Sequence, residues 1–343
     1  MEQPSPEDRI GSLLGGRYRL ESLVARGGMA AVYRGRHEVT GRLVAVKVLD
    51  DALRADPEAL QRFLLEGRLA SQSAHPNVAE VLDVGDGAGG GCAFVVLELL
   101  EGETLGDVLD REGPLPPGAA AALLVPAMAG VARAHARGVV HRDLKPDNLF
   151  LHRGAGGALV PKVVDFGVAR DLAASDDGER ITRVGEVVGT PAYMSPEQAC
   201  GESDRAGAAA DVWSMGVVWY EALAGALPFD GPTPAATMAA VACGPYVPLA
   251  EAAPWVPAAL AEVVDRALAR DPGGRHADMG AFLDAVLAAL REAEAAGDVE
   301  VCAPVVEGID VAAIERPTFP FALRRPRARK ATRSMVPGEP RAA

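Results

Sequence analysis

The residues with the clearest chemical potential lie in one octapeptide, His141–Asn148, of sequence HRDLKPDN. It holds a carboxylate (Asp143), an ammonium group (Lys145) and a carboxamide (Asn148). This set suits phosphoryl transfer, because the carboxylate can orient or accept a hydroxyl proton, the ammonium can offset phosphate charge, and the amide oxygen can help to hold a divalent metal. Apolar residues flank the octapeptide on both sides, which predicts a structured loop between two short strands and argues against a merely solvated cluster of charges.

Two further charged residues stand in patterns of interest. Lys47 lies inside the apolar stretch 43–49, where a charge needs a partner or a ligand, although a lysine that extends its ammonium to the surface would also fit. Glu66 lies on a helix predicted from Asp56 to about Ser71 and could reach Lys47, although a glutamate on a helix is usually solvated. Only four of the 34 basic residues are lysines, so each retained lysine is informative.

The elements that must position these residues divide the chain into a β-rich part and a helical part. Apolar alternation predicts strands of a small, mostly antiparallel sheet over 18–24, 31–36, 43–49, 78–84 and 93–99. After a short helix between 102 and 113, helices are predicted over about 115–137, 208–223, 234–243, 257–270 and 277–295. Residues 170–196 lack periodicity and predict a long mobile loop. We therefore predict an α+β fold with a β-rich N-lobe (about 14–100) and a larger helical C-lobe (about 101–295).

Both ends of the chain differ from this body in composition. Residues 1–13 are rich in Pro, Ser and Glu and predict a flexible extension. Residues 296–343 predict a disordered tail, and its stretch 319–343 holds seven basic residues and one acidic residue. Such a tail is usually only solvated, but it could also contact anionic lipid, nucleic acid or an acidic partner.

Composition and charge exclude several classes of function. The net charge of −13 argues against nucleic acid as the partner of the folded body. The four cysteines lie far apart without a C-x-x-C pair, which predicts free thiols in a reducing cytoplasm and neither a disulfide framework nor a zinc site. Residues 1–13 do not resemble a signal peptide, and the longest apolar runs, 119–136 and 212–227, contain charged or polar residues. We expect no membrane span and a cytoplasmic location.

Taken together, the sequence resembles the eukaryotic-like Ser/Thr protein kinase family in its bacterial form, over about residues 17–292. The motifs that carry the resemblance follow one another in family order: a glycine turn at 25–32, Val44-Ala45-Val46-Lys47, Glu66, His75-Pro76-Asn77, the octapeptide, Asp165-Phe166-Gly167, Gly189–Glu197 and Asp211–Gly216. An isolated glycine motif would be weak support, whereas this ordered set is highly specific.

The resemblance implies a role for each matching position. Asp143 would accept or orient the hydroxyl of a protein substrate, and Lys145 would lie on the γ-phosphate of ATP. Lys47, paired with Glu66, would hold the α- and β-phosphates. Asn148 and Asp165 would ligate Mg²⁺, with Mn²⁺ as an alternative metal. The residues implied around the nucleotide are Val24, Ala25, Arg26, Gly27, Gly28, Val32, Ala45, Lys47, Glu66, Leu97 as gatekeeper, Glu98 to Leu100 as hinge, and Phe150. Without the resemblance, Val24, Val32, Ala45 and Phe150 would pass for ordinary core residues.

Further positions are implied to brace and regulate the site. Glu197 would pair with Arg275, and Asp211 would hydrogen-bond the backbone of the octapeptide loop. Lys145 together with Thr190 matches the Ser/Thr-specific pattern. Arg142 would bind a phosphorylated residue of the mobile loop, for which the first candidate is Thr182 and the second is Ser175, unless these are ordinary loop hydroxyls.

One feature departs from the family pattern. Ala25 and Ala30 occupy the first and third positions of the glycine turn, and a Cβ there limits positive φ and close approach to phosphate. This departure puts the ATP affinity in question, but not the fold.

Three functions remain open. The first is an active Ser/Thr kinase that autophosphorylates and modifies protein substrates in signal transduction. The second is a nucleotide-binding pseudokinase that acts as a scaffold, favoured by Ala25 and Ala30 but opposed by the retained charged residues. The third is a small-molecule phosphotransferase, which the peptide-docking segment 189–197 disfavours.

Overall fold

The structure is a computed structural model that describes residues 5–54, 56–87, 91–154, 157–166, 191–202 and 206–297. The chain divides into two compact units, Met1–Asp310 and Val311–Ala343. All described residues belong to the first unit, so the predicted tail from residue 298 onward lies outside the description.

Six antiparallel strands form the sheet of the small lobe. In the order β1-β2-β3-β4-β6-β5 they are Leu13–Leu14 (β1), Tyr18–Arg26 (β2), Ala30–His37 (β3), Leu43–Leu49 (β4), Phe94–Glu98 (β6) and Val81–Gly85 (β5). One face of the sheet buries a cluster that includes Tyr33, Val46 and Val96. Because side chains alternate along a strand and paired residues share a face, the pairing of Val32 with Lys47 and of Ala45 with Leu97 places these four side chains on the opposite face.

Helix α1, Pro57–Gln72, packs against the small lobe. Its first turn follows the expected pattern, since the Asp56 side chain accepts hydrogen bonds from the backbone N–H groups of Glu58 and Ala59, and Pro57 opens the helix. Phe63 of α1 belongs to an apolar cluster with Val95 of β6. A Cβ on Gly67 would come within 2.8 Å of the Val95 side chain, so a glycine lets the helix approach the strand this closely.

The large lobe begins with a second sheet and continues as a helical bundle. Three antiparallel strands, β7 (Gly102–Thr104), β8 (Leu149–Arg153) and β9 (Leu159–Val163), form that sheet. The helices are α2 (Leu105–Glu112), α3 (Pro117–His135), α4 (Pro196–Ala199), α5 (Ala208–Ala224), α6 (Pro234–Cys243), α7 (Leu249–Ala252), α8 (Ala258–Ala267) and α9 (Met279–Ala296). Fourteen of the 17 residues of α5 are buried, which explains why its sequence is apolar on all sides.

Among the described residues, α3 is long and apolar enough to cross a membrane by length and composition alone. More than half of its most apolar window is buried inside the lobe. A core helix of a folded domain passes the same test, so the finding is weak support for a span.

The two-lobed α+β prediction is confirmed by the comparisons below, while two boundaries differ from the prediction. The chain is structured before residue 14, because a 3₁₀-helix at Pro6–Arg9 and strand β1 bond to the small sheet instead of forming a flexible extension. Strand β5 begins at Val81 and not at residue 78. The segment around Val78 bridges to β9 instead, where the backbone oxygen of Asn77 accepts the N–H of Val163 and the N–H of Ala79 donates to the oxygen of Val163. Residues 191–196 of the predicted mobile loop form a short 3₁₀-helix and the start of α4, and residues 167–190 lie outside the description.

Candidate active site

The octapeptide loop lies between α3 and β8, and its backbone is hydrogen-bonded to the side chain of Asp211. This fully buried carboxylate, in the first turn of α5, accepts hydrogen bonds from the backbone N–H of His141 (2.7 Å) and of Arg142 (2.6 Å). It also accepts one from Nε2 of the buried His135 at 2.8 Å. Arg142 has a φ of 64°, which a side chain rarely adopts without support. The two backbone hydrogen bonds provide that support and fix the turn that presents Asp143.

The side chains of the octapeptide converge on Asp143. Lys145 Nζ donates a hydrogen bond to Asp143 Oδ2 at 2.9 Å. The Nδ2 group of Asn148 donates to the backbone oxygen of Asp143 at 2.7 Å and to its Oδ2 at 3.1 Å. These contacts hold one carboxylate in a defined orientation beside one ammonium, as proton orientation and charge neutralisation at a phosphate both require.

A second polar cluster joins the two lobes. Lys47 Nζ lies 2.8 Å from Glu66 Oε1 on α1 and 3.0 Å from Asp165 Oδ1. Burial alone would lower the pKa of Lys47, but the carboxylates of Asp165 and Glu66 outweigh it and hold that pKa above its usual value. The charge of Lys47 keeps the pKa of Asp165 below its usual value. The structure therefore places the Lys47 ammonium between the carboxyl groups of Glu66 and Asp165, and burial raises the pKa of Glu66 above its usual value although Lys47 opposes this shift.

The segment that carries Asp165 is held to the octapeptide loop. The ring of Phe166 is buried and lies 4.7 Å from the ring of His141, measured between centroids. His141 Nε2 donates to the backbone oxygen of Val164 at 3.0 Å, while its Nδ1 accepts from the backbone N–H of Asp143 at 3.3 Å. One imidazole thus connects the loop of Asp143 to the backbone beside Asp165, so that the two carboxylates keep a fixed relation.

Asn148 and Asp165 suit a Mg²⁺ ion. Because the amide nitrogen of Asn148 faces Asp143, its amide oxygen faces away from that residue and is oriented as a ligand. Asp165 adds an ionised carboxylate, and oxygen donors of these two kinds are what Mg²⁺ prefers. No cluster of three or more His, Cys, Asp or Glu side chains that could enclose a metal occurs in the described part of the chain. Two protein ligands fit a metal that takes its other ligands from phosphates and water.

The predicted adenine slot is partly assembled on the open face of the small sheet. Val32, Ala45 and Leu97 share the face that carries Lys47, Val24 on β2 is 43% exposed, and Phe150 lies on β8 of the second sheet. Leu97 also lines a cavity of about 20 Å³ with Lys47, Glu66 and Asp165. None of Val24, Val32, Ala45 and Phe150 lines this cavity, so Leu97 is the residue that it shares with the apolar part of the predicted slot.

The glycine turn accommodates its two alanines. Ala25 ends up in β2 paired with Val32, and Ala30 opens β3 paired with Leu49. Neither residue has positive φ, and the side chain of Ala30 is buried. Residues 27–29 connect the strands, with the N–H of Gly27 bonded to the oxygen of Ala30 at 2.9 Å, and the side chain of Arg26 at the end of β2 is exposed. The conformational objection to these alanines therefore does not apply.

The predicted hinge holds an ion pair that sequence reasoning missed. Glu98 Oε1 lies 2.6 Å from Nζ of Lys162 on β9, and the Glu98 carboxylate also accepts the backbone N–H of Glu80 at 2.8 Å. Leu100 follows between β6 and β7. The sequence held one signal for this ion pair, namely the rarity of lysine. Three of the four lysines of the chain are paired with carboxylates at this site.

The large lobe braces the site through Glu197 and Arg275. Both side chains are buried, and the guanidinium donates two hydrogen bonds to the carboxylate, at 2.9 and 2.8 Å. Although burial would raise the pKa of Glu197, its hydrogen bonds with Arg275 hold that pKa below the usual value. Gln198 donates to the backbone oxygen of Arg142, which links this brace to the octapeptide loop. The regulatory candidates Thr182, Ser175 and Thr190 lie outside the described residues.

Comparison with known proteins agrees with this geometry. The family described as protein kinase domain matches residues 18–281. Serine/threonine-protein kinase pkn2 of Myxococcus xanthus is 40% identical over 279 residues, covering 81% of this chain and 33% of that protein. Serine/threonine-protein kinase PknA of Mycobacterium tuberculosis is 38% identical over 283 residues, covering 82% of this chain and 63% of that protein. The chain thus spans between one third and about two thirds of the length of these curated relatives.

A solved structure is similar as well. The crystal structure of the PknI kinase domain of Mycobacterium tuberculosis matches with a TM-score of 0.62 and 25% sequence identity. The match covers 82% of this chain and 98% of that one, so both lobes are represented.

Proposed function

The chain belongs to the protein kinase family, in its bacterial serine/threonine form, and from this premise we propose that it transfers the γ-phosphate of ATP to Ser and Thr hydroxyls of proteins. The observation that carries the proposal is the assembly of two polar clusters. Asp143, Lys145 and Asn148 form one at 2.9 to 3.1 Å, and Lys47, Glu66 and Asp165 form the other at 2.8 to 3.0 Å.

The proposed mechanism assigns each cluster a task. The substrate hydroxyl lies against Asp143, which orients it and takes up its proton as the oxygen attacks the γ-phosphorus and the bond to ADP breaks. Lys145 offsets charge on the transferred group, and Lys47, held by Glu66, fixes the other phosphates. Asn148 and Asp165 would hold Mg²⁺, which when bound neutralises phosphate charge.

The site favours this activity over the alternative of a pseudokinase scaffold. Each charged position that phosphoryl transfer requires is present, and Ala25 and Ala30 lie in strands without positive φ. A scaffold needs nucleotide binding alone and gives no reason for Asp143 to be held by both Lys145 and Asn148.

The test is a transfer assay with γ-labelled ATP, Mg²⁺ and a generic acceptor protein. Asp143→Asn should lower transfer by a factor of about 10² to 10⁴, since the loss of a positioned base costs about that much, while nucleotide binding and the melting temperature stay unchanged. The matched control is Asp110→Asn on the exposed surface of α2, which should have wild-type activity. Chelation of the metal should stop transfer, and Mg²⁺ or Mn²⁺ should restore it. Nucleotide binding by a wild type that transfers no phosphate would favour the scaffold instead.

The domain boundaries, the regulation of the activation segment and the cellular location follow from the same proposal. We assign the catalytic domain to residues 14–295 together with the structured segment before it, and we assign no role to the tail 296–343. Autophosphorylation at Thr182, read out by Arg142, would order the activation segment. The expected location is the cytoplasm, and the expected partners are ATP and protein substrates.

A further inference from the structure

The N-terminal strap, which we define as residues 5–14, precedes residue 18, where the match to the protein kinase domain begins. It is nevertheless bonded to the small sheet along its length. The hydroxyl of the fully buried Tyr33 donates to the backbone oxygen of Pro6 at 2.8 Å. The N–H of Gly11 bonds to the oxygen of Leu20, and the N–H of Leu20 to that of Ser12. The strap is thus a part of the folded lobe.

Arg9 of the strap joins two separate segments of the small lobe. One guanidinium nitrogen lies 2.6 Å from Oδ2 of Asp51, and the other donates to Sγ of Cys92. The side chain of Arg9 is only 16% exposed. Asp51 opens the 3₁₀-helix Asp51–Leu53 that precedes α1, and Cys92 lies just before β6.

These two segments carry the apolar residues on which α1 rests. Leu53 follows Asp51 by two positions, and Ala93 follows Cys92 directly. Both belong to an apolar cluster that also contains Leu60, Phe63 and Leu64 of α1. We call the members outside α1 the platform; they are Ala30, Leu49, Leu53, Val81, Val84, Ala93, Val95 and Leu97. Arg9 therefore ties together, from outside, two chain segments that enter the platform.

The position of α1 on the platform sets the position of Glu66. Gly67 contacts Val95 so closely that a single added Cβ would come within 2.8 Å of it. Glu66 is the neighbouring residue, and its carboxylate meets Lys47 at 2.8 Å. A shift of α1 by about 1 Å would lengthen or break this contact, and misplacement on that scale can cost a factor of about 10² in rate.

We propose that Arg9 is a positioning residue for phosphoryl transfer: by joining Asp51 to Cys92 it holds the platform of α1, and through it the Lys47–Glu66 pair. The proposal rests on the proposed function, because it names a determinant of that activity. Arg9 lies outside the matched domain, and its two side-chain partners are Asp51 and Cys92, so any effect on the Lys47–Glu66 pair is indirect.

The test compares Arg9→Met and Arg9→Lys with a control, Arg36→Met. Arg36 makes an ion pair with Glu21 at 2.6 Å on the same sheet, but it is 45% exposed and neither of these two residues belongs to the platform. Arg9→Met should lower kcat by a factor of about 5 to 10 and speed amide hydrogen exchange in residues 57–72, with the KM for the acceptor protein unchanged. Arg9→Lys, which keeps the charge but reaches one partner, should lie between wild type and Arg9→Met. Arg36→Met should change neither measurement.

A double-mutant cycle with Glu66→Gln completes the test. If Arg9 acts through Glu66, Arg9→Met should change kcat by less than a factor of about 2 in the Glu66→Gln background. Equal fold-losses in the two backgrounds would overturn the proposal. A lowered melting temperature with unchanged kcat and α1 exchange would also overturn it, since the strap would then only add stability. A wild-type protein that transfers no phosphate would refute the proposed function, while amide exchange would still test the hold of Arg9 on α1.

Discussion

Replacing Asp211 with asparagine tests whether one buried carboxylate holds the catalytic loop in its unusual conformation. In the native protein its two oxygens accept three hydrogen bonds, from the N–H of His141, the N–H of Arg142 and Nε2 of His135. Asparagine has almost the same shape but only one accepting oxygen. Whichever way its amide points, one NH₂ hydrogen faces a backbone N–H that it cannot satisfy.

The expected loss of stability follows from these contacts. One backbone N–H would be left buried without an acceptor, at about 1–3 kcal/mol, and the remaining hydrogen bonds would lose the assistance of the charge, at about 0.5–1 kcal/mol each. We expect the free energy of unfolding to fall by about 3 kcal/mol, which lowers the melting temperature of a domain of this size by about 6–10 °C. The activity of the folded protein should fall as well, because Arg142 beside Asp143 would lose support for its positive φ.

The pH dependence of the free energy of unfolding gives a second test of the role of Asp211. Burial would raise the pKa of Asp211, but the hydrogen bonds from His135 and His141 outweigh it and hold the pKa below its usual value. A carboxyl group with a lowered folded-state pKa contributes stability above its ordinary pKa of about 4, and that contribution is lost as the pH falls through the folded pKa. The difference in urea midpoint between wild type and Asp211→Asn should therefore be full at pH 7 and should shrink below about pH 4.

The control is Asp278→Asn at the start of α9. This side chain accepts a backbone N–H as the cap of the helix, and asparagine caps about equally well, so its stability should change by less than about 0.5 kcal/mol. If Asp211→Asn lost less than about 1 kcal/mol and kept wild-type activity, the claim that Asp211 holds the loop would be wrong.

Two further predictions concern the large lobe and the activation segment. Glu197→Gln should lower the free energy of unfolding by about 3 kcal/mol in urea titrations, because it leaves the Arg275 guanidinium buried without its counterion; a loss below about 1 kcal/mol would contradict this. Thr182→Ala should lower the activity of the purified enzyme, since Arg142 would lose its phosphate partner, whereas Ser175→Ala should have a smaller effect. Full activity of Thr182→Ala, with no phosphate found by mass spectrometry between 171 and 190, would exclude this mode of regulation.

Local sequence was sufficient for much of the architecture. Helix α1 begins at Asp56 and Pro57 as predicted, because capping and the fixed φ of proline act within one turn. The strands of the small sheet follow from alternation, and the order of the motifs indicated both the family and the two-lobed fold. Capping and alternation depend on residues that are close together in the chain. The order of the motifs depends on residue types along the sequence, and reading it requires no knowledge of distances in space.

Contacts between distant residues were decided only by the tertiary structure. From local sequence, Lys47 was compatible with a surface lysine and Glu66 with a solvated glutamate. Only the packing of α1 on β6 brings Lys47 Nζ to 2.8 Å from Glu66 Oε1. Lys162 and Glu98 are 64 residues apart, and Arg9 and Cys92 are 83 apart, with no local pattern that links either pair. The Pro, Ser and Glu content of residues 1–13 predicted flexibility, yet the small sheet offers residues 5–13 backbone partners and a buried tyrosine hydroxyl. Composition reports the average solvent preference of a segment, whereas hydrogen bonds to a surface depend on what the rest of the chain places beside it.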